Sequence, residues 1–177
     1  MNKKNGVISL LAALMTGSLL LSEGAIAVPF NNKIIKGAYA TTIDGIYTFV
    51  DKNAVGLPAW FTGIVEADGK GNITSFKGTF NVGACIVVSH DGNGTYAVEP
   101  DGSASATVQI TAAPISALNP QCPDSVMRIL TTMPLMNTVK FSLAVQDSKN
   151  VYGSILSKTD PSGKLVGFGG SLTAHRQ

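Results

Sequence analysis

Asp101-Gly102-Ser103-Ala104-Ser105-Ala106-Thr107-Val108-Gln109-Ile110-Thr111 opens on a turn signal and then alternates apolar and polar residues at every step from Ala104 to Thr111. A period of two belongs to a strand with one face on a core and the other in water. Val139-Lys140-Phe141-Ser142-Leu143-Ala144-Val145-Gln146 repeats the pattern. Between 75 and 82, Phe76, Phe80 and Val82 share one face, and Ser75, Lys77, Thr79 and Asn81 share the other.

Turn chemistry separates these stretches. Asp44-Gly45, Asp68-Gly69-Lys70-Gly71, Asp91-Gly92-Asn93-Gly94, Asp101-Gly102 and Asp160-Pro161-Ser162-Gly163 all join residues that tolerate the left-handed backbone. Asp-Gly between alternating segments is a strong hairpin signal. The pattern predicts about eight strands, near 37–50 (with a break at Asp44-Gly45 left open), 59–67, 72–82, 84–90, 94–99, 103–111, 139–147, 151–158 and 164–175. Short strands joined by tight turns form an antiparallel meander, which loses its exposed edges by closing. The expected fold is therefore all-β, an antiparallel up-and-down β-barrel of about eight strands. A sandwich is the alternative that periodicity alone leaves open. Val65-Glu66-Ala67-Asp68-Gly69 and Val98-Glu99-Pro100-Asp101-Gly102 use one hairpin formula twice.

Residues 112–137 break the scheme with Pro114, Pro120, Pro123 and Pro134, too many for a central strand. Val126, Ile129, Leu130 and Met133 lie at helical spacing, with Asp124 as N-cap and Pro134 beyond the stop. This predicts a short helix capping one end of the barrel.

Residues 1–27 read as a signal peptide. Lys3 and Lys4 give a positive start, Val7 to Leu21 an apolar stretch, and Ala25-Ile26-Ala27 a cleavage site. The apolar run is shorter than the roughly 20 residues of a membrane span, and Thr16, Gly17 and Ser18 interrupt it. The expectation is an exported, periplasmic or extracellular protein with one domain over 28–177 and no integral membrane segment after cleavage. Two lysines and one glutamate leave with the leader, taking the net charge from +2 to +1. No basic stripe survives, so nucleic acid is not an expected partner.

Cys85 and Cys122 are the only cysteines. In an oxidising compartment they have one intramolecular pairing, closing a loop worth about 3–4 kcal/mol in the chain-entropy model. Two distant thiols and two histidines supply too few ligands for a metal centre, and no cofactor is expected.

Phe61-Thr62-Gly63-Ile64-Val65, Asp68-Gly69-Lys70-Gly71-Asn72-Ile73, Gly94-Thr95-Tyr96-Ala97-Val98 and the closing Gly169-Gly170-Ser171-Leu172-Thr173-Ala174-His175-Arg176-Gln177 follow one another in an order that resembles a group of small exported bacterial proteins. Their barrels are similar to calycins and allene oxide cyclase. The resemblance implies a fold and supplies no reaction, and the proline-rich insert with Cys122 departs from it.

No catalytic residue is assigned. His90, before Asp91-Gly92, and His175, near the C-terminus, read as exposed turn and tail residues, and no G-x-S-x-G elbow exists. Glu66 and Glu99, the only glutamates after the leader, precede Asp-Gly turns. Either could act as a general acid or base only from inside an apolar cavity. Asp91-Gly92-Asn93-Gly94 has part of a calcium-loop spacing but lacks the bidentate Glu. The remaining candidates are aromatic. Tyr39, Tyr47, Trp60, Phe61, Phe76 and Phe80 are the expected ligand-binding residues, because an eight-stranded barrel either fills its interior or holds one small ligand there. The expected function is an exported, non-catalytic barrel that binds a small apolar ligand or a surface partner. The alternatives are a cofactor-free isomerase or cyclase acting on a lipid-like substrate, and a secreted structural or host-interaction protein.

Overall fold

The computed structural model describes residues 29–48, 56–83, 85–112, 117–118, 136–165 and 167–177. Eight long strands build the fold: β1 (Lys36–Thr48), β2 (Gly56–Asp68), β3 (Asn72–Val82), β4 (Ile86–Val98), β5 (Ser103–Ala112), β7 (Met136–Val145), β8 (Asn150–Thr159) and β9 (Gly167–Arg176). The two-residue β6 (Ala117–Leu118) pairs with β4 alone. Every long strand is antiparallel to its neighbours, and β1 pairs with both β2 and β9. The further pairing of β3 with β4 closes the sheet into an eight-stranded barrel, so the sandwich alternative falls away.

The barrel has two unlike ends. At the near end lie the start of β1, the end of β9 and the connections 69–71, 99–102 and 146–149. At the far end lie the connections between β1 and β2, β3 and β4, β5 and β7, and β8 and β9. The near-end connections are tight because an aspartate organises each one. Asp68 Oδ1 accepts from the Lys70 and Asn72 amides at 2.6 and 3.0 Å, and Asp147 Oδ1 from the Lys149 and Asn150 amides at 2.6 and 2.8 Å. Asp101 holds Ser103 by amide and hydroxyl in the same way. Gly69, Gly71 and Gly102 take the positive φ that these turns demand.

Two expected turns are strand instead. Asp44-Gly45 lies within β1, and Asp91-Gly92-Asn93-Gly94 runs through the middle of β4, which joins the two strands expected at 84–90 and 94–99. The glycines there serve close approach rather than reversal. A methyl group on Gly92 or Gly94 would overlap the Gln109 or Thr107 carbonyl of β5. With those residues extended, the calcium-loop reading has no loop to rest on.

Alternation sorts the side chains as expected over most of the barrel. On β5, Ala104, Ala106, Val108 and Ile110 are buried, while Ser103, Ser105, Gln109 and Thr111 are exposed. Inside, Gly63 of β2 faces Gly78 of β3, and the Phe61 ring lies over both. A Cβ on either glycine would stand 2.6 Å from Phe61 Cζ. The ring then stacks on Phe76 at 4.7 Å and 22°, so two missing side chains make room for one aromatic pair.

The leader 1–27, the capping helix expected within 124–133 and Cys122 lie outside the described residues. Cys85 is buried within the β3–β4 turn, immediately before β4. Among the described residues no helix is long and apolar enough to cross a membrane.

Candidate functional site: the barrel interior

Among the described residues, two cavities follow one another along the barrel axis, and Phe76 and Phe141 line both. The near-end cavity, about 70 Å³, has an apolar wall that includes Tyr39, Val65, Ile73, Tyr96, Val108 and Leu172. The far-end cavity is about 30 Å³ and lies among Phe61, Phe80, Phe168, His90 and Lys158. A single water needs roughly 10–15 Å³ and drug-sized pockets begin near 300 Å³. Each cavity therefore has room for a few atoms, and since a cavity that takes up benzene measures roughly 150 Å³, a larger guest requires the wall to move.

At the near end the tyrosines turn their polar tips away from the cavity. Tyr39 Oη donates to the Ser148 carbonyl at 2.9 Å, and Tyr96 Oη reaches the Ile35 and Asn32 carbonyls at 2.6 and 3.0 Å. The Asn32 and Ile35 carbonyls belong to the 3-10 turn Asn32–Ile34 and its cap, which Asn32 ties to the barrel by accepting from the Val98 amide at 2.8 Å. The phenol rings thus present carbon to the cavity while their hydroxyls seal the end, as buried tyrosines require.

At the far end the polar groups turn inward. Lys158 is buried, and its Nζ sits 5.4 Å from the ring centroids of both Tyr47 and Phe80, within cation–π range. His90 is buried edge-on to Phe80 at 5.4 Å and Phe61 at 6.4 Å, with Nδ1 3.3 Å from the Val88 carbonyl. Phe80 also meets Phe168 edge-on at 5.1 Å. Burial shifts every titratable group here towards its neutral form. Lys158 is lowered to about 8, Tyr47 is pushed up to about 12, and His90 is lowered to about 4 by burial and then by the Lys158 charge. At neutral pH the imidazole is uncharged and the ammonium is mostly protonated.

Of the expected ligand-binding residues, Tyr39, Tyr47, Phe61, Phe76 and Phe80 are buried in the interior. Trp60 is 39% exposed on the outer face, because it alternates with the inward Phe61. Glu66 and Glu99 are both exposed, so neither provides the buried carboxylate that the isomerase or cyclase alternative needs. His175 is exposed, as expected, and its Nδ1 lies 2.8 Å from Asn150 Oδ1.

His90 corrects the reading of it as an exposed turn residue: it sits inside a continuous β4, on the same face as Val88 and Tyr96. Sequence reasoning missed Lys158 for a different reason. Phe141 pairs with Ile155 and Lys140 with Ser157, leaving Leu156 without an opposite residue. Leu156 keeps the outward side of Tyr152 and Ser154 and is 65% exposed, but the extra residue reverses the alternation beyond it, so Lys158 turns inward.

No family profile matches the chain, and no curated protein matches it. Among solved structures it is similar to one described as "Structure of EF1p2_mFAP2b bound to DFHBI", with a TM-score of 0.41 and 10% identity over 81% of this chain and 94% of that one. A similarity this distant says nothing of what this chain binds.

Proposed function

We propose that the protein is exported and that its barrel interior binds a small apolar molecule. The observation that carries this reading is the near-end cavity of about 70 Å³, whose wall is apolar but for Thr41, and the Thr41 hydroxyl donates to the Tyr39 carbonyl at 3.3 Å. Burial of apolar surface gives about 25 cal/mol per Å², so a ligand that fits such a wall needs no specific hydrogen bond to bind. Export is supported by the charged start, apolar run and Ala25-Ile26-Ala27 of the leader. Membership of the calycin-like exported barrels, suggested by the order of the strand and turn motifs, fits the same reading, as does a Cys85–Cys122 bridge.

Native mass spectrometry on protein purified from its exporting host is the test. The reading predicts a mass beginning at Val28, two hydrogens light for the bridge, with an additional small mass that is lost on denaturation. Retention of residues 1–27 would overturn export. A bare polypeptide mass that toluene or nitrobenzene does not shift in solution would overturn interior binding.

A further inference from the structure

Lys158 is the one described cation inside the barrel. Its ammonium meets two aromatic faces, while every described carboxylate lies at an exposed strand position or in a solvent-facing turn. A buried charge is costly unless an opposite charge joins it. The Phe80 ring lies 5.4 Å from this ammonium, Lys158 itself lines the far-end cavity, and Phe76 and Phe141 line both that cavity and the larger apolar one. The site therefore combines a desolvated positive charge, an aromatic cage and adjoining apolar space.

We infer that Lys158 receives the head group of the interior ligand, and that this ligand is a small organic acid whose carboxylate sits on the ammonium between Tyr47 and Phe80. The inference rests on the interior-binding reading and adds the charge and size class of the ligand. Desolvation strengthens the attraction between the two charges. At about 70 and 30 Å³ the cavities set an upper bound on the tail of a single ring or a short branched chain, admitted only if the Phe76 or Phe141 side chain shifts. Among the described residues, the titratable groups that face Lys158 from the other strands are Tyr47 of β1 and His90 of β4. Their shifts, to about 12 and about 4, keep both uncharged between pH 6 and 9.5. Among the described groups of the site, the lysine alone changes charge over that range.

Benzoate and its neutral isostere nitrobenzene separate the terms, measured by calorimetry and by amide chemical shifts on the mature chain. At pH 7 benzoate binds wild type about tenfold or more tightly than nitrobenzene does, the usual scale for one favourable charge pair. Lys158→Met abolishes that preference and keeps nitrobenzene binding. Raising the pH from 7 to 9.5 weakens benzoate severalfold in wild type and leaves nitrobenzene unchanged, a measurement that needs no variant. Nitrobenzene binding with no preference for benzoate, or a preference that survives in Lys158→Met, overturns the head-group assignment alone. Failure of both probes on wild type overturns interior binding and this inference together.

Discussion

The two ends of the barrel handle buried polar groups in opposite ways. At the near end, Tyr39 and Tyr96 send their hydroxyls outward to main-chain carbonyls, and the cavity behind them is apolar. At the far end, Lys158 and His90 bring nitrogen atoms inward against aromatic rings. The near end gains stability from its hydrogen bonds, while the far end gives some up to hold a charge where water is scarce. Sites of binding commonly show such local disagreement between stability and placement.

The largest effect should come from joining the two regions. Phe76 is 2% exposed and lines both cavities. Phe76→Ala removes the stacking partner of Phe61 and should cost about 3–5 kcal/mol in denaturant unfolding. A loss below about 1 kcal/mol would mean that the interior collapses freely and that the division into two cavities has no energetic meaning.

Lys158→Met should act in the opposite direction, raising stability at pH 7 by about 1–4 kcal/mol as a buried charge gives way to a side chain of similar length. The lysine's folded value, about 8, lies below its ordinary 10.5, so the folded state binds the proton more weakly than the unfolded state does. Its cost is full below pH 8 and fades as the pH rises towards 10.5. The advantage of methionine should therefore shrink across that window in urea melts at pH 7, 9 and 10.5. A difference that does not change with pH would show that the ammonium is better solvated than its burial implies.

Tyr96→Phe sharpens the contrast from the near end. Loss of the hydroxyl leaves the buried Ile35 carbonyl without this donor and should cost about 1–3 kcal/mol. That loss should be the same at pH 6 and pH 9, unlike the effect of Lys158→Met. The smallest effect belongs to the turns. Hydrogen bonds from Asn72 and Lys70 hold Asp68 down to about 2. Its contribution is complete above the ordinary value of 3.8 and disappears as the pH falls through 2. Asp68→Ala should lower the melting temperature slightly at pH 7 and leave it unchanged near pH 2.

The barrel was legible in the sequence wherever a strand kept its period. Ala104 to Thr111 and Phe76 to Val82 gave inward and outward faces that the structure reproduces. Misreadings came from two local features. Glycine beside aspartate looked like a turn at 91–94, although these glycines let β4 approach β5 closely; this hid His90. The bulge at Leu156 reversed the alternation and hid Lys158. The aromatic residues of the candidate site were legible because size and apolarity mark them. The nitrogen atoms among them were not, because a lysine near a strand end ordinarily faces water.

What the sequence determined by itself is local: the period of the strands, the aspartate-centred turns of the near end and the all-β class. These follow from backbone preferences acting over a few residues. Only the tertiary structure decided that β3 meets β4 to close the sheet, that Phe61 lies across Gly63 and Gly78, and that Lys158 shares the far end with Tyr47, Phe80 and His90. The physical reason is that burial belongs to position in the closed barrel. One unpaired residue in β8 turns Lys158 from the solvent to the interior, and no window of sequence around it records the change.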